Sequence, residues 1–210
     1  MIFEPVTDTK VPFLIIRDLY TPEELSLINV ELDFLNKSGS LLLNNTISAT
    51  KYGQVLKKAQ GVFLDGFYAN RNASLILKFN RKLFTNRDIV TQFINLNSIY
   101  YSNYVSCNFD STLLNYYEDT DYYKVHADDA VYSIITWIFK EPKLFTGGDL
   151  RFVDENRTIN IKNNMAVIFP SFLKHEVDEI KLNKDAPHNS GRYSIAQFLQ
   201  FGPKSIRTEN

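Results

Sequence analysis

Tyr122-Tyr-Lys-Val-His-Ala-Asp-Asp-Ala-Val-Tyr-Ser-Ile-Ile-Thr-Trp-Ile-Phe139 contains two runs of β-branched and aromatic residues, 122–125 and 131–139, separated by a short polar stretch. Such runs read as neighbouring β-strands. Similar runs recur at 112–117, 150–153, 158–161, 166–169, 175–180 and 193–201. Gly147-Gly148, Glu155-Asn156, Asn163-Asn164 and Asn189-Ser190-Gly191 punctuate them. About eight strands after residue 109 is the number expected of a jelly-roll sandwich or barrel.

The N-terminal half reads differently. Residues 11–16 form an apolar strand-like run. Thr21, Pro22 and Glu24 then make a helix start: an N-cap, a proline at the first turn and a capping-box partner. Leu25, Ile28, Leu32 and Leu35 follow at helical spacing, and Gly39 is a stop signal. Residues 40–72 carry no regular pattern. Further helices are predicted over 74–84 and, capped by Asn86, over 87–94. The fold class is therefore mainly β (α+β), a jelly-roll core with supporting N-terminal helices. The 210 residues are read as one domain, with the strand and helices in 1–108 and the β core in 109–202.

Hydrophobic residues make up 44% and aromatics 14% of the chain, enough for a full core. A net charge of −1 provides no basic field, so neither nucleic acid nor an anionic membrane is an expected partner. Cys107 is the single cysteine and suits a reducing compartment. The start, Met-Ile-Phe-Glu-Pro, lacks the basic and apolar regions of a signal peptide, and the longest apolar runs are too short for a bilayer. A cytoplasmic location is expected, and the oligomeric state stays open.

His126-Ala127-Asp128 is an H-x-D triplet at the end of a predicted strand. Alternate strand residues share a face, so parity pairs His126 with Asp128 and sets Asp129 on the other side. His175 opens a later strand, just past the 166–169 run. Two imidazoles and one carboxylate are the facial ligand set of non-haem Fe(II). The bland reading is a chance triplet and a core histidine. Phe169, Phe172 and Val177 could shield the site from bulk water. Arg192 opens the last strand and shares a face with Ser194 and Ala196. A guanidinium on an inward face needs a carboxylate. Its planar fork suits bidentate binding of one. A dicarboxylate could bridge Arg192 and a metal; a structural salt bridge is the other possibility.

The ordered elements from Leu114 to Leu199 resemble the Fe(II)/2-oxoglutarate-dependent dioxygenases, in their prolyl 4-hydroxylase-like branch. That family's pattern runs Y-x-x-G-x-x-Y-x-x-H-x-D, G-G-x-L-x-F, a strand ending F-P, H-x-V and G-x-R-Y-S. Here stand Tyr117, Tyr123, His126 and Asp128, then Gly147-Gly148-Asp149-Leu150-Arg151-Phe152, Phe169-Pro170-Ser171, His175-Glu176-Val177 and Gly191-Arg192-Tyr193-Ser194. The resemblance implies a double-stranded β-helix core, with His126, Asp128 and His175 as iron ligands. It makes Arg192 the anchor for the distal carboxylate of 2-oxoglutarate, and Tyr117 a pocket residue for co-substrate and substrate. It implies the cofactors Fe(II), 2-oxoglutarate and O2, with ascorbate as an accessory reductant. The implied activity is hydroxylation of an unactivated C–H bond in a peptidyl proline. A free amino acid or another small molecule is the rival substrate. A cupin-like binding module without chemistry ranks below both, because triad and arginine are intact.

This sequence departs from the pattern in places. Thr120 stands where a glycine is expected, and Trp137 where many members carry a co-substrate-binding tyrosine. Residues 181–190 form a longer polar segment, a candidate lid, whose His188 is expected to be exposed and not a ligand. Asp128 argues against the halogenating variant of the family, which has a small residue there.

Overall fold

The computed structural model of the chain describes residues 1–41, 50–51 and 53–202. Two strands, β1 (Ile2–Val6) and β2 (Phe13–Arg17), lead into helix α1 (Pro22–Lys37). Both halves of the capping box form: Glu24 N–H donates to Thr21 Oγ1 at 3.2 Å, and Thr21 N–H to Glu24 Oε2 at 3.0 Å. The helix stops at Gly39, whose φ of +73° lets Gly39 N–H reach Asn36 O and Ser40 N–H reach Leu35 O. That bond pair is a Schellman motif, and glycine takes its left-handed position without a Cβ clash.

Next come the hairpin strands β3 (Thr50–Lys51) and β4 (Gln54–Val55), then β5 (Lys57–Lys58) and β6 (Gln60–Phe63). Four short helices follow: α2 (Leu64–Phe67), α3 (Leu75–Asn80), α4 (Lys82–Thr85) and α5 (Arg87–Leu96). The helix expected over 74–84 is thus two helices broken at Arg81. Parts of the unpatterned 40–72 stretch, residues 42–49 and 52, lie outside the described residues. The buried Glu31 of α1 caps α3, accepting from Ser74 Oγ at 2.7 Å and Ile76 N–H at 2.9 Å. A buried carboxylate is tolerable there because both bonds satisfy it.

The β half contains β7 (Phe109–Tyr117), β8 (Tyr122–His126), β9 (Tyr132–Phe139), β10 (Phe145–Thr146), β11 (Leu150–Phe152), β12 (Arg157–Ile159), β13 (Met165–Pro170), β14 (His175–Val177), β15 (Lys181–Leu182) and β16 (Arg192–Gln200). The larger sheet has the order β1-β2-β13-β9-β16-β7-β6, and the smaller β12-β11-β14-β8-β5. Every pairing within the two sheets is antiparallel.

The larger sheet is covered on both faces. Ile134, Ile138, Ala166, Ile168 and Ile195 pack with Ile28, Leu32 and Leu35 of α1. The alternate residues Ile135, Trp137, Phe139, Val167 and Phe169 pack with Leu150, Phe152 and Ile159 of the smaller sheet. Double coverage explains why β9 is apolar almost without interruption and buried throughout. Each fully buried Ile, Leu or Phe contributes roughly 1.5–3 kcal/mol. This sandwich of two sheets, with helices on the outer face of one, is the expected double-stranded β-helix core.

Thr120, where the resemblance calls for glycine, has φ +65°. A β-branched residue in left-handed backbone is strained, by roughly 1 kcal/mol or more. Its hydroxyl accepts from Lys58 Nζ, and its N–H donates to Ile180 O at 2.8 Å. The backbone bond survives in Thr120→Gly and the exposed side-chain bond does not. We expect a gain of about 1 kcal/mol, read as a melting temperature higher by about 2–4 °C. A lower melting temperature would show that the Lys58 contact outweighs the strain.

Candidate metal centre

β8 ends on His126, β14 begins on His175, and the two residues lie directly opposite in the antiparallel pair. Opposed side chains on one face converge, and here the ring centroids are 4.2 Å apart. Asp128 completes the cluster: Oδ1 lies 3.5 Å from His126 Nε2 and Oδ2 lies 3.6 Å from His175 Nε2. One ligand atom from each residue falls within 4.8 Å of the others. Strand parity alone does not bring Asp128 into the cluster. The strand stops at His126, and Asp128 is aimed instead by its own N–H, which donates to Ser171 O at 3.0 Å. Asp129 is exposed and only offers its carbonyl to Gln200.

The imidazoles are oriented from behind. His126 Nδ1 is 2.8 Å from Lys124 O, and His175 Nδ1 is 2.9 Å from Leu173 O. A carbonyl only accepts, so each Nδ1 carries the proton and each Nε2 turns a bare lone pair toward Asp128. Burial, reinforced by the neighbouring His175, holds His126 down at about 3, neutral at physiological pH. Three acceptors facing one another without a shared hydrogen are mutually repulsive, and a cation between them removes the repulsion. The donor set, two imidazoles and a carboxylate, fits Fe(II) with open positions left over. Phe169 stands edge-on to His175 at 5.0 Å, and the Tyr123 ring stacks on His126 at 3.5 Å. Phe172 does not shield the site: it is 56% exposed and lies against Tyr100, because it follows the end of β13 on a turn.

Ser133 and Ser171 escaped the sequence reading as functional residues. Ser133 Oγ donates to Asp128 Oδ2 at 2.5 Å, and the two serine hydroxyls are 2.8 Å apart. Both are fully buried. The one sequence signal is the serine following F-P. This chain fixes the carboxylate rotamer. Ser133→Ala should therefore weaken metal binding by about 10–100-fold while the fold is kept. Anaerobic metal titration measures it, and an unchanged affinity removes the serine from the metal site.

Arg192 is completely buried, and its Nε, Nη1 and Nη2 have no hydrogen-bond partner among the described residues. Its guanidinium carbon lies 4.4 Å over the ring of Tyr117, the residue opposite it on β7. Burial lowers its pKa to about 10, still charged at neutral pH. Gly148 has φ +70°, and a Cβ there would sit 3.0 Å from Arg192 Nε. Any larger residue crowds the fork. A Cβ on Gly191 would sit 2.0 Å from Tyr117 O, which explains the glycine before Arg192. A buried charge without partners is costly unless a ligand supplies them. Arg192 therefore fits a carboxylate ligand rather than a structural salt bridge.

A cavity beside the triad is lined by Tyr117, Ile135, Trp137, Ser194 and Ala196; Arg192, expected on the same face of β16, is not among its lining residues and adjoins it through the Tyr117 ring. No residue of 181–190 lines it. That segment instead pairs β15 with β10, and Asn183 N–H donates to Leu144 O at 2.9 Å, so it is not a lid over the triad in this structure. His188 is exposed. Lys57, in the unpatterned stretch, is the unexpected member: it lines the cavity and is 3% exposed. Its Nζ donates to Asn115 Oδ1 at 2.5 Å. Burial lowers its pKa to about 8. Beside Lys58, a lysine reads as solvated, so nothing in the sequence marks it.

Residues 112–200 match the model of the 2OG-Fe(II) oxygenase superfamily. A prolyl-4-hydroxylase from Pseudomonas putida superimposes with a TM-score of 0.63 at 13% identity, over 92% of this chain and 95% of that one. The viral collagen prolyl hydroxylase of Paramecium Bursaria Chlorella virus-1, solved with 2OG, gives a TM-score of 0.54 at 15% identity, over 92% and 97%. No curated protein matches by sequence. The family match covers residues 112–200, and over 92% of its length the chain carries the fold of these two prolyl hydroxylases.

Proposed function

We propose that this chain is a 2OG-Fe(II) oxygenase, using Fe(II), 2-oxoglutarate and O2, that hydroxylates an unactivated C–H bond, with His126, Asp128 and His175 as iron ligands and Arg192 as the anchor for the distal carboxylate of 2-oxoglutarate. The observation that carries this reading is the buried Arg192, without a hydrogen-bond partner among the described residues and stacked on Tyr117, which lines the cavity of the three converging donors. When bound, Fe(II) supplies the activation of O2, coupled to conversion of 2-oxoglutarate to succinate and CO2. The chain's own residues supply placement. Lys124 O and Leu173 O hold the imidazole protons on Nδ1. Ser133 fixes Asp128, and Tyr117 lies flat under the guanidinium while lining the co-substrate pocket. Ile135, Trp137 and Leu150 exclude water from the wall.

Anaerobic addition of 2-oxoglutarate to the Fe(II)-loaded protein should produce the weak visible charge-transfer band of the chelate. Air should then yield succinate, slowly without prime substrate, with ascorbate sustaining turnover. A folded, iron-loaded protein that neither binds nor consumes 2-oxoglutarate overturns the proposal. Likeness to prolyl hydroxylases makes peptidyl proline the first substrate to try. A free amino acid or other small molecule is the second reading, and Lys57 favours it.

A further inference from the structure

We propose that Lys57, held by Asn115, is a second anion site that binds a carboxylate of the prime substrate. The substrate is then a small carboxylic acid, such as a free amino acid, rather than an internal residue of a peptide. This rests on the reading of the triad and Arg192 as the iron and 2-oxoglutarate sites.

Lys57 is buried, yet Asn115 is the one hydrogen-bond partner of its Nζ among the described residues, and Asp128, the carboxylate that acts on it, does so without forming an ion pair. An ammonium has three donors and a full charge, and a neutral amide oxygen satisfies only part of that demand. The Tyr123 ring, 5.1 Å from Nζ, adds a weak cation–π contact. The rest of the demand faces a cavity that Lys57 shares with His126 and Asp128.

Arg192 does not duplicate this role. It enters from β16 of the larger sheet and lies against Gly148. Lys57 stands on β5, the edge strand of the smaller sheet, opposite Tyr123 of the strand that ends in His126. A single 2-oxoglutarate has two carboxylates. One on Arg192 and one on the metal leave none for Lys57. A substrate carboxylate is the anionic acceptor that Lys57 lacks, whereas an internal peptide residue brings only neutral carbonyl groups.

The test follows succinate release by the iron-loaded protein with each free L-amino acid, with the matching amino-acid amides, and with a capped proline-rich peptide. At least one free acid should raise release about tenfold or more over the basal rate, while its amide does not. In Lys57→Met, KM for that acid should rise about 30-fold or more with a smaller change in kcat, and Lys57→Arg should restore part of the loss. In the Zn(II) protein with N-oxalylglycine, calorimetric binding of the same acid should disappear in Lys57→Met. Equal stimulation by acid and amide, stimulation by the capped peptide alone, or stimulation by no acid each overturns the proposal. If Lys57→Met does not fold, the acid–amide comparison in the wild type decides alone. Failure of the underlying iron reading looks different: the wild type then shows neither 2-oxoglutarate binding nor basal succinate.

Discussion

Arg192→Met should melt at a higher temperature than the wild type when no ligand is present, and should lose 2-oxoglutarate binding. The opposed signs come from one fact: the guanidinium is fully buried with none of its nitrogens hydrogen-bonded among the described residues. Replacing a buried charge by an apolar side chain of similar length commonly stabilises by about 1–4 kcal/mol. The contact with the Tyr117 ring at 4.4 Å is lost in the exchange, offsetting up to about 2 kcal/mol. The net gain should be about 1–2 kcal/mol, or a few degrees for a chain of this size. Binding moves the other way. A charge-assisted, bidentate contact disappears and the ligand's carboxylate meets methyl groups, so affinity should fall about 100-fold or more. Thermal melts with and without 2-oxoglutarate in the metal-loaded proteins measure both. A ligand-free variant that melts below the wild type refutes the idea that Arg192 waits for its partner. Retained ligand stabilisation refutes its role as anchor.

The sites were legible where the chemistry is carried by rare residue types in strands with clear alternation. Arg192, Ser194 and Ala196 share an inward face because β16 keeps its register with β7 over its whole length. His126 and His175 could be paired in outline, since each borders an apolar run. Other parts of the site depend on contacts that leave no mark in local sequence. The strand expected over 175–180 ends at Val177, because Asp178 N–H turns to Asp149 O and Ile180 N–H to Asp121 O. That departure brings Ile180 against Gly148, whose other close neighbour is Arg192. β1 was missed because it is a half-exposed edge strand containing Pro5. Lys57 was missed because only the approach of β5 to β8 buries it. The break at Arg81 is marked by neither Gly nor Pro.

His175→Ala should abolish Fe(II) binding and succinate formation while the protein stays folded. His175 is 2% exposed and supplies one of three donors, so its loss leaves only His126 and Asp128. Loss of a supporting residue behind a ligand already weakens metal binding by about 10–100-fold, and loss of the ligand itself should exceed that. Stability should suffer less. The vacated space between Phe169 and Phe152 costs about 1–3 kcal/mol. In the metal-free protein that cost is partly offset, because one of the lone pairs opposing Asp128 has gone. The space left is the shape of an imidazole, with Leu173 O still placed to accept its N–H. Millimolar imidazole should therefore restore part of the iron binding, a rescue that a purely structural histidine would not show. His188→Ala, at an exposed position away from the cavity, is the matched control and should leave iron binding unchanged. If His175→Ala retains turnover, or His188→Ala abolishes it, the ligand assignment falls and with it the reading of Arg192 as a co-substrate anchor.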